Sequence, residues 1–220
     1  MNEVYDISHL LAGVMLVTSF ALLYQGRIAS VVNTFAAQSI TLSLAVAWAA
    51  WSQDRPDLFI TATIAFTLKG VIIPIALHRT VARLGIHHEV EKVVGVGIAL
   101  MVGLALTALA QALLLKVAHS PENYYAGEQL ALALAIILLG FLMMILRRNA
   151  VTQVVGFMSM ENGLILAATG ARGMPLVVEV SVAFSVLIAL FVFAVFVFRI
   201  RERFDTIDVG ALDRMRGDRR

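Results

Sequence analysis

Cysteine is absent from the 220 residues, so no disulfide, thiolate iron–sulfur ligand or cysteine-held metal can come from this chain. Charge is scarce as well: charged residues make up 15% of the chain against 60% hydrophobic, and the mean hydropathy is +0.88. A soluble fold of this size needs polar residues to cover its surface, and there are too few. Histidine is thin and scattered; His87 and His88 are the only adjacent pair. Neighbours on a chain rarely converge on one ion, so that pair reads as a solvated loop feature. The opening Met-Asn-Glu-Val-Tyr-Asp is acidic and lacks the basic stretch of a cleaved signal peptide, so the first apolar run is expected to stay as a membrane helix.

Between the few charge clusters lie apolar runs of roughly 18–25 residues, the length that crosses a ~30 Å hydrocarbon layer as a helix. They read as Ile7–Tyr24, Ala29–Trp51, Leu58–His78, Val93–Val117, Gln129–Leu146, Ala150–Thr169 and Pro175–Phe198. Turn residues or charge separate them. The break at Arg147-Arg148-Asn149 has neither glycine nor proline, but two adjacent arginines are costly in hydrocarbon and both are expected to snorkel to one interface. The fold class is therefore all-α: a polytopic membrane helix bundle of about seven transmembrane helices.

Seven spans put the termini on opposite sides. Arg27, Arg79, Arg83, Lys92, Arg147, Arg148 and the tail arginines share one side. Arg55, Lys116 and Arg172 lie on the other, beside Glu3, Asp6, Asp54, Asp57, Glu122 and Glu128. Cytoplasmic loops carry the lysine and arginine excess, so the N-terminus is expected outside and the C-terminus in the cytoplasm. The tail from Arg199 is too short and polar for a core of its own. It reads as a topology anchor or as a docking strip for a cytoplasmic partner.

Three ionisable residues remain inside predicted spans: Lys69, Glu161 and Glu179. Counted at ~1.5 Å per residue, Lys69 and Glu161 fall near the midplane and Glu179 about one turn below the outer face. An ionised group at the midplane costs at least ~2.5–3.5 kcal/mol, so three of them in a small protein call for a reason. One reason is proton or ion handling: desolvation disfavours the charged form of carboxyl and amine alike, which brings both within reach of a protonation change near neutral pH. The other is a static pair, Lys69 with one glutamate, that holds helices together or docks another subunit. Ser159, Asn162 and Gln38 are the polar side chains that would support such a site, each also explicable as a helix–helix hydrogen bond. Pro74, five residues after Lys69, is expected to kink its helix and free carbonyls near the lysine, or to serve packing alone. Gly95, Gly97 and Gly103, with alanines at 105, 108, 110 and 112, mark the fourth span as a tightly packed helix.

The run Arg147-Arg148-Asn149 through Met160-Glu161-Asn162-Gly163, then residues 175–180 and the tail 206–217, resembles the C-terminal part of hydrogenase-4 component E. Residues 35–39 and 65–74 extend the resemblance through the N-terminal half. The last three spans also resemble the small K subunit of respiratory complex I and, more distantly, the C subunit of multisubunit sodium/proton antiporters. The K-type glutamates would fall on Met158 and about Leu187, where this chain has none; its carboxylates stand at Glu161 and Glu179. Glu161 is three residues on, ~4.5 Å along the helix and on nearly the same face.

The resemblance implies an N-terminal four-helix membrane region over residues 1–128, a K-subunit-like three-helix region over 129–204 and a charged cytoplasmic tail over 205–220. It implies a membrane-arm subunit of a group 4 [NiFe]-hydrogenase or formate hydrogenlyase-like respiratory complex in a bacterial or archaeal cytoplasmic (inner) membrane. Such a chain is a non-catalytic part of an oxidoreductase, with no cofactor of its own and no call for nucleic acid. Its partners would be antiporter-like and quinone-site-like membrane subunits, the lipid bilayer and, indirectly, a soluble redox arm. Glu161, Glu179 and Lys69 would carry protons, with Asn162, Ser159, Gln38 and Pro74 in support. The alternatives are a structural adaptor between antiporter-like subunits and a subunit of a cation/proton antiporter.

Overall fold

The structure is a computed structural model and describes residues 2–84, 94–115 and 124–170. Every regular element among them is helical: α1 (Asn2–Tyr24), α2 (Ile28–Ser52), α3 (Asp57–Ile64), a π-helical stretch (Ala65–Ile72), α4 (Ile73–Leu84), α5 (Val96–Leu115), α6 (Tyr124–Leu146) and α7 (Ala150–Gly170). The stretch from α3 through α4 is one continuous rod. Six helical spans are long and apolar enough to cross a membrane, counting that rod once as Asp57–Arg79. A helix is the form that lets such a segment satisfy its own backbone polar groups in hydrocarbon. The six follow the first six runs read from the sequence; the seventh, Pro175–Phe198, lies outside the described residues.

Local chemistry explains where the helices stop. At the end of α2 the Arg55 N–H reaches back to Ala50 O at 2.9 Å, and Asp54 takes a positive φ of 53°. This is the left-handed reversal that closes many helix C-termini. Pro56 then stands just before α3, where a missing N–H costs nothing. Asn149 caps α7, its Oδ1 accepting from the Val151 N–H at 2.8 Å, as short amide side chains do at helix N-termini.

Helices α1, α2, α3, α6 and α7 share one apolar core in which Met15, Leu42, Val46, Ile136 and Leu166 are wholly or almost wholly buried. A second core joins α1, α2, α4, α6 and α7 around Phe35, Ile73, Leu139 and Met158. The α6–α7 contact is the closest. A Cβ on Gly140 would stand 2.6 Å from the Met160 backbone nitrogen, and one on Gly163 would stand 2.8 Å from Ile137 Cγ1. Small residues allow helices without side-chain bulk to approach closely in a membrane, and here the glycines that do so are on α6 and α7. The expectation for the fourth span holds in part: a Cβ on Gly103 would meet Leu139 and Phe20 at 3.0 Å, and Ala110 is buried, whereas Gly95 and Gly97 have nothing within 4 Å of an added Cβ. Helix α5 lies at the periphery, with Ile98, Met101, Leu104 and Leu113 exposed.

Candidate functional site in the buried core

Lys69 is fully buried, and so are the groups around it. Its ammonium stands 3.1 Å from Glu161 Oε2 and donates to Asn162 Oδ1, also at 3.1 Å. Adjacent residues on a helix point about 100° apart, so Glu161 and Asn162 grip the ammonium from two directions on α7. Both lie mid-way along their span, Val151–Thr169, as Lys69 does along Asp57–Arg79.

The π-helical winding explains how Lys69 comes to face α7. Thr61, Ala65, Lys69 and Ile73 are all buried and spaced by four. In an α-helix that spacing drifts by about 40° per step, or roughly 120° over three steps. The wider i→i+5 turn slows the drift and keeps the four on one face. The Ile73 N–H bonds to Leu68 O, five residues back. Pro74 follows at once and supplies no N–H for the preceding turn; local π adjustment is one of the ways a membrane helix accommodates proline. Gly70 allows the close approach to α2, where its added Cβ would meet Ile40 Cγ1 at 3.3 Å.

From Asn162 the polar contacts continue to α2 and α1. Asn162 Nδ2 donates to Gln38 Oε1 at 3.2 Å and to Ser39 Oγ at 3.3 Å. Gln38 Nε2 donates to Ser19 Oγ at 2.7 Å, and the Ser19 hydroxyl donates to Met15 O at 2.8 Å. None of these side chains is more than 2% exposed. Four helical elements therefore meet through one polar chain in an otherwise apolar interior.

Of the residues singled out in the sequence, Lys69, Glu161, Asn162 and Gln38 come together. Ser159 is buried on α7, two residues before Glu161, and its hydroxyl is not among the partners of the Lys69 ammonium. Pro74 lies just beyond the π-helical stretch. Glu179 lies outside the described residues. Ser19 was not anticipated; the signal available was a hydroxyl pair, Thr18-Ser19, deep in the first apolar run. Met158, where a K-type glutamate would fall, packs in the second apolar core beside Phe35 and Val155.

The arginine pair differs from expectation. Arg148 is exposed, but Arg147 is only 2% exposed. Its Nη2 donates to Leu22 O at 3.1 Å, Leu23 O at 2.9 Å and Gln25 O at 2.7 Å. It thus caps the C-terminal end of α1, whose last carbonyls have no partner within their own helix; a cation there also complements the helix dipole. Burial lowers the Arg147 pKa from its ordinary value, and the guanidinium nevertheless keeps its proton.

No family model matches the chain, and no solved structure matches it. Among curated proteins it is 29% identical to hydrogenase-4 component E of Escherichia coli K12 over 210 residues, covering 94% of this chain and 96% of that one. The chain is similar to hydrogenase-4 component E along nearly its whole length. The same protein of Shigella flexneri matches to the same extent. An uncharacterized protein of Mycobacterium tuberculosis is 28% identical over 210 residues, covering 93% of this chain and 94% of that one. The six helices long and apolar enough to cross a membrane agree with the expected polytopic helix bundle.

Proposed function

We propose that the chain is a membrane-arm subunit of a hydrogenase-4-type complex, in which Lys69 and Glu161 take up and release protons at the middle of the bilayer while redox chemistry proceeds in other subunits. The observation that carries this reading is the Lys69–Glu161 pair, 3.1 Å apart, buried at the midpoint of two spans. Holding ionised groups in such a place is expensive, and intramembrane ionisable residues mark ion pathways and proton relays. The likeness to hydrogenase-4 component E over 94% of the chain supports the complex type. Asn162 holds Lys69 and is itself held by Gln38, Ser159 stands two residues before Glu161 on α7, and Pro74 keeps the π-helical turn that faces Lys69 toward α7. Glu179, outside the described residues, is the third carrier in this reading. In this reading the complex sits in a cytoplasmic membrane with the Arg27 and Arg147 end of the bundle inside, against antiporter-like and quinone-site-like neighbours.

The adaptor reading uses the same charges as static contacts to neighbouring subunits. Burial argues against that version. Glu161 and Lys69 meet each other inside this chain, at no more than 2% exposure, and have no face left for a neighbour. A static internal pair is the form of the alternative that remains, and Glu161→Gln separates it from a relay. In closed vesicles carrying the assembled complex, the variant is expected to keep redox turnover and lose most of the proton uptake per turnover. Unchanged uptake with intact turnover makes the pair structural.

A further inference from the structure

The contacts from Lys69 to Ser19 all run in one sense, and that sense is forced. An ammonium has donors only, so Asn162 must turn its oxygen toward Lys69 and its amide nitrogen toward α2. Gln38 must then accept from it through Oε1, which leaves Gln38 Nε2 to donate to Ser19 Oγ. Ser19 passes its own hydrogen to Met15 O, a backbone carbonyl that can only accept. Amide side chains in this chain have no titratable proton to hand on. The chain is thus a row of aligned dipoles, each presenting its negative end toward the lysine. Its members are buried, where the low local dielectric strengthens such an alignment.

We propose that Ser19, acting through Gln38 and Asn162, is a positioning residue that holds Lys69 as an ammonium facing Glu161. This rests on the proposed proton-carrying role of Lys69 but is testable apart from it. Ser19 matters because it ends the row, accepting from Gln38 Nε2 while its own hydrogen is committed to the Met15 carbonyl. It anchors the chain on α1, five residues before that helix ends at Tyr24, and Arg147 fixes that end. Without the Ser19 hydroxyl, Gln38 Nε2 loses its acceptor, and nothing on α1 then holds Gln38 Oε1 toward Asn162 Nδ2. Among the described residues, Glu161 on α7 is the titratable group in contact with the Lys69 ammonium; α2 contributes the uncharged Gln38 and Ser39.

The chain contains three lysines, Lys69, Lys92 and Lys116, so 15N-lysine labelling of the full chain in lipid bilayers gives a small set of side-chain amine signals. The Lys69 signal is assigned by its loss in Lys69→Met. In Ser19→Ala, the pH midpoint of the Lys69 amine is expected to move to lower pH by about half a unit, the effect of losing one modest hydrogen-bond contribution. Ser19→Thr is expected to return the midpoint to that of the parent chain. Ser39→Ala is expected to leave it there, since Asn162 keeps Gln38. A Ser19→Ala midpoint coincident with the parent overturns the proposal. If Ser19→Ala does not fold, Ser19→Cys carries the test, its weaker thiol giving a smaller shift in the same direction and a coincident midpoint again refuting the role. A shifted midpoint combined with normal pumping by Glu161→Gln vesicles keeps the positioning role and removes the proton-relay reading.

Discussion

At the residue scale the interior is organised by two cations that the membrane would otherwise penalise. Lys69 is matched by a carboxylate and an amide, and Arg147 by three carbonyls at the end of α1. Removing one partner of a buried pair leaves the other charge uncompensated, which costs about 3–5 kcal/mol. Lys69→Met and Glu161→Gln are therefore expected to lower thermal stability unequally: Lys69→Met abandons a carboxylate, whereas Glu161→Gln still offers the lysine an oxygen. The double variant Lys69→Met/Glu161→Gln should be more stable than Lys69→Met alone, as read by detergent-phase unfolding. If the single and double changes simply add, the two side chains are not coupled. Arg147→Ala should cost about 1–3 kcal/mol through the abandoned carbonyls, against about half a kcal/mol or less for the exposed Arg148→Ala. Equal losses at the two positions would contradict the cap.

At the scale of elements, the helix pair α6–α7 and the π-helical stretch set the geometry of the site. Gly163→Leu drives its side chain into Ile137 and the Ala133 carbonyl, and should cost roughly 1–3 kcal/mol or more. Gly13→Ala, which meets nothing within 4 Å, should be neutral or gain up to about 1 kcal/mol in helix propensity. Matching unfolding temperatures for these two variants would overturn the packing account. Much of this level was legible in the sequence. Apolar run length marked six of the helices, and intramembrane charge marked Lys69 and Glu161, because both signals arise from the solvent and need no knowledge of packing. Pro74 pointed to a disturbed helix near Lys69, although the form it takes, a π-helical turn, depends on which face must meet α7. Of the fourth-span glycines only Gly103 finds a close neighbour, because small residues report the ability to pack closely, and which of them meets a partner is decided by the assembled bundle. Arg147 misled for a like reason: its carbonyl partners are on α1, more than 120 residues away.

At the scale of the whole molecule, the absence of cysteine turns into an experimental asset. A single introduced thiol is the only one present, so sidedness can be read by labelling closed cells with an impermeant reagent. Arg148→Cys and Gln53→Cys lie at opposite ends of the bundle. With the arginine-rich ends inside, the thiol at position 53 should label from outside and the one at position 148 only after permeabilisation. The reverse pattern would invert the orientation. The account's central claim is that Glu161 changes protonation during turnover instead of serving as a fixed counter-ion to Lys69. Turnover-triggered infrared difference spectroscopy on the intact complex in membranes tests it most directly. The account predicts a protonated-carboxyl band that appears during turnover and is missing in Glu161→Gln. A spectrum in which no carboxyl signal depends on Glu161, from a complex that still pumps, would contradict it.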